Sequence, residues 1–92
     1  MEDKITKGRI ERYLKITEEA LKKAKKNISN TKRKEAKEII EMVENYISDT
    51  YYFFKKRSYV DAFAAINYAH GWLDAGARLK IFNVNDNKLF TI

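Results

Sequence analysis

The chain has 92 residues, a formal net charge of +6, no cysteine and no proline. That length supports one modest hydrophobic core and excludes a separate catalytic domain with its own lid. The missing cysteines exclude disulfides and thiolate metal sites. Because there is no apolar run of about 18 residues and no signal-peptide pattern, we expect a cytoplasmic protein that does not enter the membrane.

The charge is unevenly distributed along the chain. Residues 1–57 hold sixteen Lys and Arg against ten Asp and Glu, whereas residues 58–92 hold three of each kind. A basic part is therefore joined to a neutral, apolar part. Since proline is absent and apolar residues recur every three or four positions, the pattern favours long helices over a sheet.

The first predicted helix covers about residues 3–27. Its apolar positions, among them Ile10 and Leu14, fall on one helical stripe between charged neighbours. The polar segment 27–31 interrupts this periodicity, and Thr31 is the predicted N-cap of the next helix. Because the turn is short, we expect the two helices to be antiparallel neighbours.

The second predicted helix covers about residues 32–56, with Val43 and Ile47 on its apolar face. Its last turn is rich in aromatic residues and is followed by a basic segment that complements the helix dipole. Ser58 is the predicted N-cap of the third helix, in a capping box with Asp61.

The third predicted helix covers about residues 59–80 and is apolar around more of its circumference than two neighbouring helices would cover. Tyr68, Trp72 and Leu79 extend this surface, so we expect either the tail or a second subunit to cover them. The tail, residues 82–92, contains a turn signal between two short apolar runs, and we favour its folding back over the bundle.

Together these elements predict an all-α fold, an up-down-up antiparallel three-helix bundle with a short C-terminal tail. They form a single predicted domain over residues 1–92. Each helix of about 22 residues would be about 33 Å long. The competing architecture is a four-helix assembly made by dimerisation.

A polar strip on the third helix is a candidate small-ligand site, formed by Asn67, His70, Asp74 and Arg78. The last three are spaced one turn apart, so they can form a ladder of imidazole, carboxylate and guanidinium. The alternative is a structural role, since buried polar groups usually satisfy one another. A metal would need further carboxylates from another segment, and we predict neither a metal nor a cofactor.

A basic turn is the strongest charge feature. Between Lys22 and Lys37 there are eight Lys and Arg and one acid, Glu35. The basic residues that begin the second helix oppose its dipole, which points to contact with an anion such as nucleic acid. A solvated lysine-rich turn is the alternative, because no aromatic residues are interleaved for base stacking. The candidate anion-binding residues are Lys26, Lys32, Arg33, Lys34 and Lys37.

No motif in the sequence assigns a reaction. The chain has one His, no Gly-rich phosphate loop, and three Ser residues at turn, cap and surface positions. We therefore predict no enzymatic activity and no catalytic residue. The leading hypothesis is a non-catalytic interaction module that self-associates or binds a protein partner through Tyr68, Trp72 and Leu79.

The stretch Tyr51–Leu79, most specifically its segment DAFAAINYAHGWLDAGARL, resembles the archaeal domain-of-unknown-function 357 family of short proteins. The lysine-rich region before it is compatible with that family over most of the chain, while the residues after Phe82 do not match it. The resemblance implies a three-helix bundle without an assigned activity. It therefore implies no functional role for His70, Asp74 or Arg78.

Overall fold

The computed structural model describes residues 5–91, which form three α-helices and a C-terminal tail. The helices are α1 (Lys7–Lys25), α2 (Arg33–Lys55) and α3 (Tyr59–Arg78). The start of the first predicted helix at residue 3 and the end of the predicted tail at residue 92 lie outside the described residues.

Contacts between the helices show that α2 runs antiparallel to its neighbours. Tyr51 donates a hydrogen bond of 3.0 Å to Glu18, and Lys25 pairs with Glu44 at 2.7 Å, so residue numbers rise along α1 as they fall along α2. Only residues 56–58 separate α2 from α3, which reverses the chain again. The predicted all-α, up-down-up three-helix bundle is confirmed.

The helix α1 begins at a side-chain cap that the apolar periodicity did not identify. Thr6 has an extended backbone, and its Oγ1 accepts a hydrogen bond of 3.1 Å from the backbone N–H of Arg9. This bond satisfies one of the N–H groups that a first turn leaves free. The buried residues of α1 are Ile10, Leu14, Thr17, Ala20, Leu21 and Ala24.

The predicted caps of the other two helices are only partly right. Thr31 as the N-cap of α2 is wrong, because Lys32 occupies that position and makes no side-chain cap hydrogen bond. Ser58 does occupy the N-cap of α3, but its hydroxyl makes no cap bond. Both helices are stabilised mainly by their packing.

The helices α2 and α3 end in the same way, although no glycine follows either one. Arg57 and Lys80, each the second residue after its helix, have a left-handed backbone with φ of 60°. The Ile81 N–H donates to the Gly76 carbonyl at 2.8 Å, and an equivalent bond closes α2. These bonds satisfy free carbonyls and turn the chain sharply. The left-handed conformation costs a non-glycine residue about 1–2 kcal/mol.

The tail folds back onto the bundle, as the sequence predicts. Phe82 and Ile28 form an isolated antiparallel bridge, and the Ser29 N–H donates to the Ile81 carbonyl at 2.9 Å. Phe90, only 2% exposed, packs into the core near the end of the tail. The turn between α1 and α2 and the end of α3 therefore meet at one end of the molecule.

One hydrophobic core joins the three helices and the tail. The helix α3 packs against both others, while α1 and α2 approach each other less closely. The molecule is consequently flat, with extents of 42 × 24 × 16 Å. The buried residues of α3, its inner face, are Ala62, Ala65, Ile66, Ala69, Leu73, Gly76 and Ala77.

Candidate functional site

The outward side of α3 is apolar and exposed. Val60, Tyr68 and Leu79 are 70%, 63% and 67% exposed, and Trp72 is 39% exposed. Exposed small residues lie between these large ones at helical spacing. The apolar surface of a helix is normally packed against other protein rather than left in water. We call this surface the outer face of α3; it comprises Val60, Ala64, Tyr68, Gly71, Trp72, Ala75 and Leu79.

The three predicted interface residues, Tyr68, Trp72 and Leu79, all lie on the outer face. The sequence leaves the tail or a second subunit as their cover, and within residues 5–91 the tail leaves them exposed. The Thr91 N–H at its far end instead donates to Asp74 Oδ1 at 2.8 Å. A second subunit as the cover stays a prediction.

The two aromatic rings of the outer face lie on the side of α3 that is next to α2. Tyr68 stacks on Tyr46 with ring centroids 5.4 Å apart and ring planes inclined by 19°. Trp72 borders a groove of about 470 Å³ whose opposite wall is α2. The stacking contact therefore holds the Tyr68 ring beside α2. The α2 residues of this groove are Glu35, Glu38, Ile39, Glu41, Met42 and Asn45.

The two glycines inside α3 differ in their surroundings. A Cβ atom on Gly76 would lie 2.5 Å from the ring of Phe82 and 3.3 Å from Ile39. Other side chains of the same chain therefore already occupy the space next to this glycine. A Cβ atom on Gly71 would meet nothing within 4 Å. Glycine costs about 1 kcal/mol relative to alanine inside a helix, and no contact in the described chain explains it at Gly71.

Two members of the predicted polar strip join a cluster with a residue of α1. His70 Nδ1 lies 3.0 Å from the buried Thr17 hydroxyl, and His70 Nε2 lies 3.6 Å from Asp74 Oδ1. The hydrogen bond forms when Thr17 donates to Nδ1, in which case the imidazole carries its proton on Nε2, the nitrogen nearer Asp74. Asp74 also accepts the Thr91 bond. We call Thr17, His70 and Asp74 the polar cluster; its members already partner one another and the tail.

Asn67 and Arg78 do not join the polar cluster by hydrogen bonds or ion pairs. The Asn67 amide donates to the Phe63 carbonyl one turn earlier, at 3.0 Å. No ion pair joins Arg78 to a carboxylate among residues 5–91, Asp74 included. A cavity of about 200 Å³ does adjoin Asn67, His70 and Asp74. A small-ligand site there stays a prediction, and Arg78 is not among the residues that line the cavity.

A groove of about 480 Å³ runs between α1 and α2, which the sequence did not indicate. Leu14 and Phe54 form part of its apolar wall, and charged residues of α1 rim it. Tyr51 spans the groove to reach Glu18. Partial burial, together with this hydrogen bond and the charge of Glu18, raises the pKa of the Tyr51 phenol. This hydrogen bond therefore links α1 and α2 where the two helices pack only sparsely.

The five predicted anion-binding residues surround the turn between α1 and α2. All are exposed, and none lies within 4.0 Å of a carboxylate of the described residues. Two neighbouring lysines differ, since Lys23 pairs with Asp86 at 2.9 Å and Lys25 pairs with Glu44. The hydrogen bond from Lys23, aided by the N–H groups of residues 88 and 89, lowers the pKa of Asp86. Nearby acids therefore neutralise two lysines of α1 and leave the five exposed cations uncompensated.

The start of α2 adds to this positive potential. Lys32, Arg33 and Lys34 occupy its N-cap and first two positions, and no side chain caps the helix. Free N–H groups and the positive end of the helix dipole lie at the same place. The electrostatic potential at this end of α2 is therefore positive.

A metal-binding cluster and a membrane-spanning helix are both absent from the described residues. Within residues 5–91, no group of three or more His, Asp or Glu side chains is arranged to hold a metal ion. None of the three helices is long and apolar enough to cross a membrane.

The fold and its surfaces define a small three-helix bundle. Its helix α3 packs against both other helices and keeps one apolar side exposed. A family model described as protein of unknown function DUF357 matches residues 12–82, and the chain belongs to this family. The matched range includes all of α2, all of α3 and the whole outer face. No curated protein and no solved structure matches the chain. The family description assigns no activity.

Proposed function

We propose that this protein is a non-catalytic interaction module that self-associates through the outer face of α3. The observation that carries the proposal is the exposure of Tyr68, Trp72 and Leu79 on one side of a helix whose other side is fully packed. Contiguous exposed apolar surface usually marks a contact site. A second copy brings the same apolar face, so one isologous contact removes both faces from water.

The state of the polar cluster supports a role without catalysis. A general acid or base must be free to meet a substrate. Here the His70 imidazole faces Thr17 and Asp74, and Asp74 also accepts the Thr91 N–H. These partners are typical of a hydrogen-bonded network that fixes a core edge.

A concentration series measured by light scattering tests the proposal. We expect the mass of the wild-type protein to rise from one chain toward two between micromolar and millimolar concentration, and Tyr68→Lys to stay monomeric. Tyr52→Lys is the matched control, since Tyr52 on α2 is 56% exposed against 63% for Tyr68. A wild-type protein that stays monomeric, or a control that dissociates equally, would contradict the proposal.

A second candidate function is binding of a polyanion at the basic turn. The specific observation is that Lys26, Lys32, Arg33, Lys34 and Lys37 have no ion pair with a described carboxylate, whereas Lys23 and Lys25 do. Several such cations on one end of the molecule attract phosphates through release of counterions. The expected binding is dependent on salt and largely independent of sequence.

Titration of single-stranded RNA and of duplex DNA at several salt concentrations tests this candidate. We expect affinity to fall steeply as salt rises, and the double variant Lys32→Gln/Lys34→Gln to reduce the salt slope by about 2. Lys55→Gln/Lys56→Gln at the opposite end of α2 removes the same charge and serves as the control. Absence of binding even at low salt would rule the candidate out.

A further inference from the structure

We infer that the partner on the outer face of α3 is a second copy packed antiparallel, related by a two-fold axis that passes level with the peptide bond between Ala69 and His70. This inference rests on the proposed function and specifies the geometry of that same contact. It places most of one α3 against most of the other, because the axis lies close to the middle of Tyr59–Arg78.

The outer face of one α3 fits against the outer face of a second α3 that runs in the opposite direction. In this arrangement two residues equally distant from the axis lie at the same level on opposite helices. Tyr68 then faces Gly71 of the other copy, and Ala64 faces Ala75. The bulky residue thus comes level with the only glycine of the outer face, whose missing side chain leaves open space. The exposed Gly71 thus acquires the packing role that no contact within one chain provides.

The aromatic residues also meet their counterparts across the axis. Tyr68 and Trp72 both lean toward α2, where Tyr68 stacks on Tyr46 and Trp72 borders the α2 groove. A two-fold axis keeps this side of one helix against the same side of the other. Trp72 of one copy therefore lies one residue from the level of Tyr68 of the other, within reach of an aromatic contact.

Charge favours the antiparallel direction. Asp61 in the first turn of α3 and Arg78 in its last turn are equally distant from the proposed axis. Both are exposed, and neither has an ion pair among the described residues. Antiparallel packing brings Asp61 level with Arg78 of the other copy at both ends of the contact. Parallel packing would bring each charge level with the same charge on the other copy, which is unfavourable.

Cysteine cross-linking tests this geometry, because the natural chain has no cysteine. We would prepare the single variants Ala64→Cys and Ala75→Cys, both at exposed positions. In the antiparallel contact, two copies of residue 64 are separated by eleven residues, about 16 Å of helix rise, which is beyond disulfide reach. Each variant alone should therefore stay uncross-linked on mild oxidation, and an equimolar mixture should form a disulfide dimer of both chains.

The outcomes separate the geometry from the proposed function. A wild-type protein that stays monomeric would overturn both. A dimer in which Ala64→Cys links to itself would overturn only the antiparallel arrangement, as would a dimer whose mixed variants never link.

A charge exchange gives an independent readout of the same geometry. Asp61→Arg and Arg78→Asp should each raise the dimer dissociation constant about three- to tenfold, since two exposed ion pairs are lost and like charges meet. The double variant should return it to within about threefold of wild type. If the dissociation constant of the double variant does not recover, the two charges do not meet across the contact, and the assigned position of the axis is overturned.

Discussion

Gly76 and Gly71 lie on the same helix, five residues apart, and face opposite environments. Gly76 belongs to the inner face of α3, where the ring of Phe82 occupies the space of its missing side chain. Gly71 belongs to the outer face, where a side chain would meet nothing within 4 Å. The inner glycine is explained by the fold of one chain, whereas the outer glycine is not.

The same contrast holds for the two faces as a whole. The small residues Ala65 and Ala69 of the inner face are buried, and the adjacent polar cluster has its own hydrogen-bond partners. On the outer face Val60 and Leu79 remain more than half exposed. Small residues and apolar surface on α3 therefore differ between its two sides: on the inner side they are packed within the chain, and on the outer side they stay exposed and are the basis of the proposed self-association.

Filling the inner glycine should have the largest effect on stability. Gly76→Ala places a methyl group against the Phe82 ring, and we expect it to lower the free energy of unfolding by about 1–3 kcal/mol through overpacking. Urea denaturation followed by circular dichroism measures this change. Stability equal to or above that of the wild type would show that Phe82 can move aside and that the inner face is not closely packed.

Filling the outer glycine is the matched substitution with the opposite sign. Gly71→Ala should raise the free energy of unfolding of the monomer by about 0.8–1 kcal/mol, because alanine is the better helix former and the methyl group meets no atom of the chain. The same change should weaken self-association, measured by light scattering, since in the proposed contact the methyl group adds bulk level with the partner's Tyr68. Unchanged association would remove Gly71 from the contact.

The end of α3 offers a smaller gain. Lys80→Gly relieves a left-handed backbone worth about 1–2 kcal/mol and increases the entropy of the unfolded chain by about 0.4–1 kcal/mol, so a net stabilisation of about 0.5–1 kcal/mol is expected. Arg57→Gly should behave alike after α2. Lys56→Gly is the control, because Lys56 has φ of −85° and gains no such relief. A thermal melt compares the three; equal shifts in all of them would argue against the left-handed assignment.

The tail covers the inner side of α3, and its contribution to stability should fall in acid. This is the smallest of the expected effects. The pKa of Asp86 is lowered in the folded protein, first by the Lys23 ammonium. Its stabilisation is therefore present above the unfolded pKa of about 3.9 and is lost as the pH falls through the lower folded pKa. Wild type should be more stable than Asp86→Asn at about pH 7, and urea midpoints of the two should converge near about pH 2. A constant difference would assign the effect to something other than this charge.

Local spacing in the sequence predicts the helices and the buried stripes because it reports on neighbours within one helix. Ile10, Leu14, Val43 and Ile47 are all buried as the helical period requires. The Thr6 cap lies just before the first strongly periodic residues, where the preference of threonine for N-caps was a usable signal. The predicted Thr31 cap was wrong by one residue, which is the usual precision of a helix boundary.

Contacts between distant segments could not be predicted in this way. The bonds from Thr17 to His70 and from Thr91 to Asp74 join residues 53 and 17 positions apart, so they depend on how α1 and the tail are placed on α3. The predicted ladder from Asp74 to Arg78 also depends on how these side chains are placed, and among residues 5–91 no ion pair joins them. The outer face was partly predictable, since its large residues stand out in sequence, while Gly71 and Ala75 gain meaning only from their exposure.

The emission of Trp72 is the most direct test of the claim that the outer face is a self-association surface. It is the only tryptophan of the chain, it lies on that face, and it is 39% exposed in the single subunit. In a dilution series we expect blue-shifted, weakly quenched emission at high protein concentration and red-shifted emission that acrylamide quenches readily at low concentration. Emission and quenching that stay constant from micromolar to millimolar protein would contradict the account.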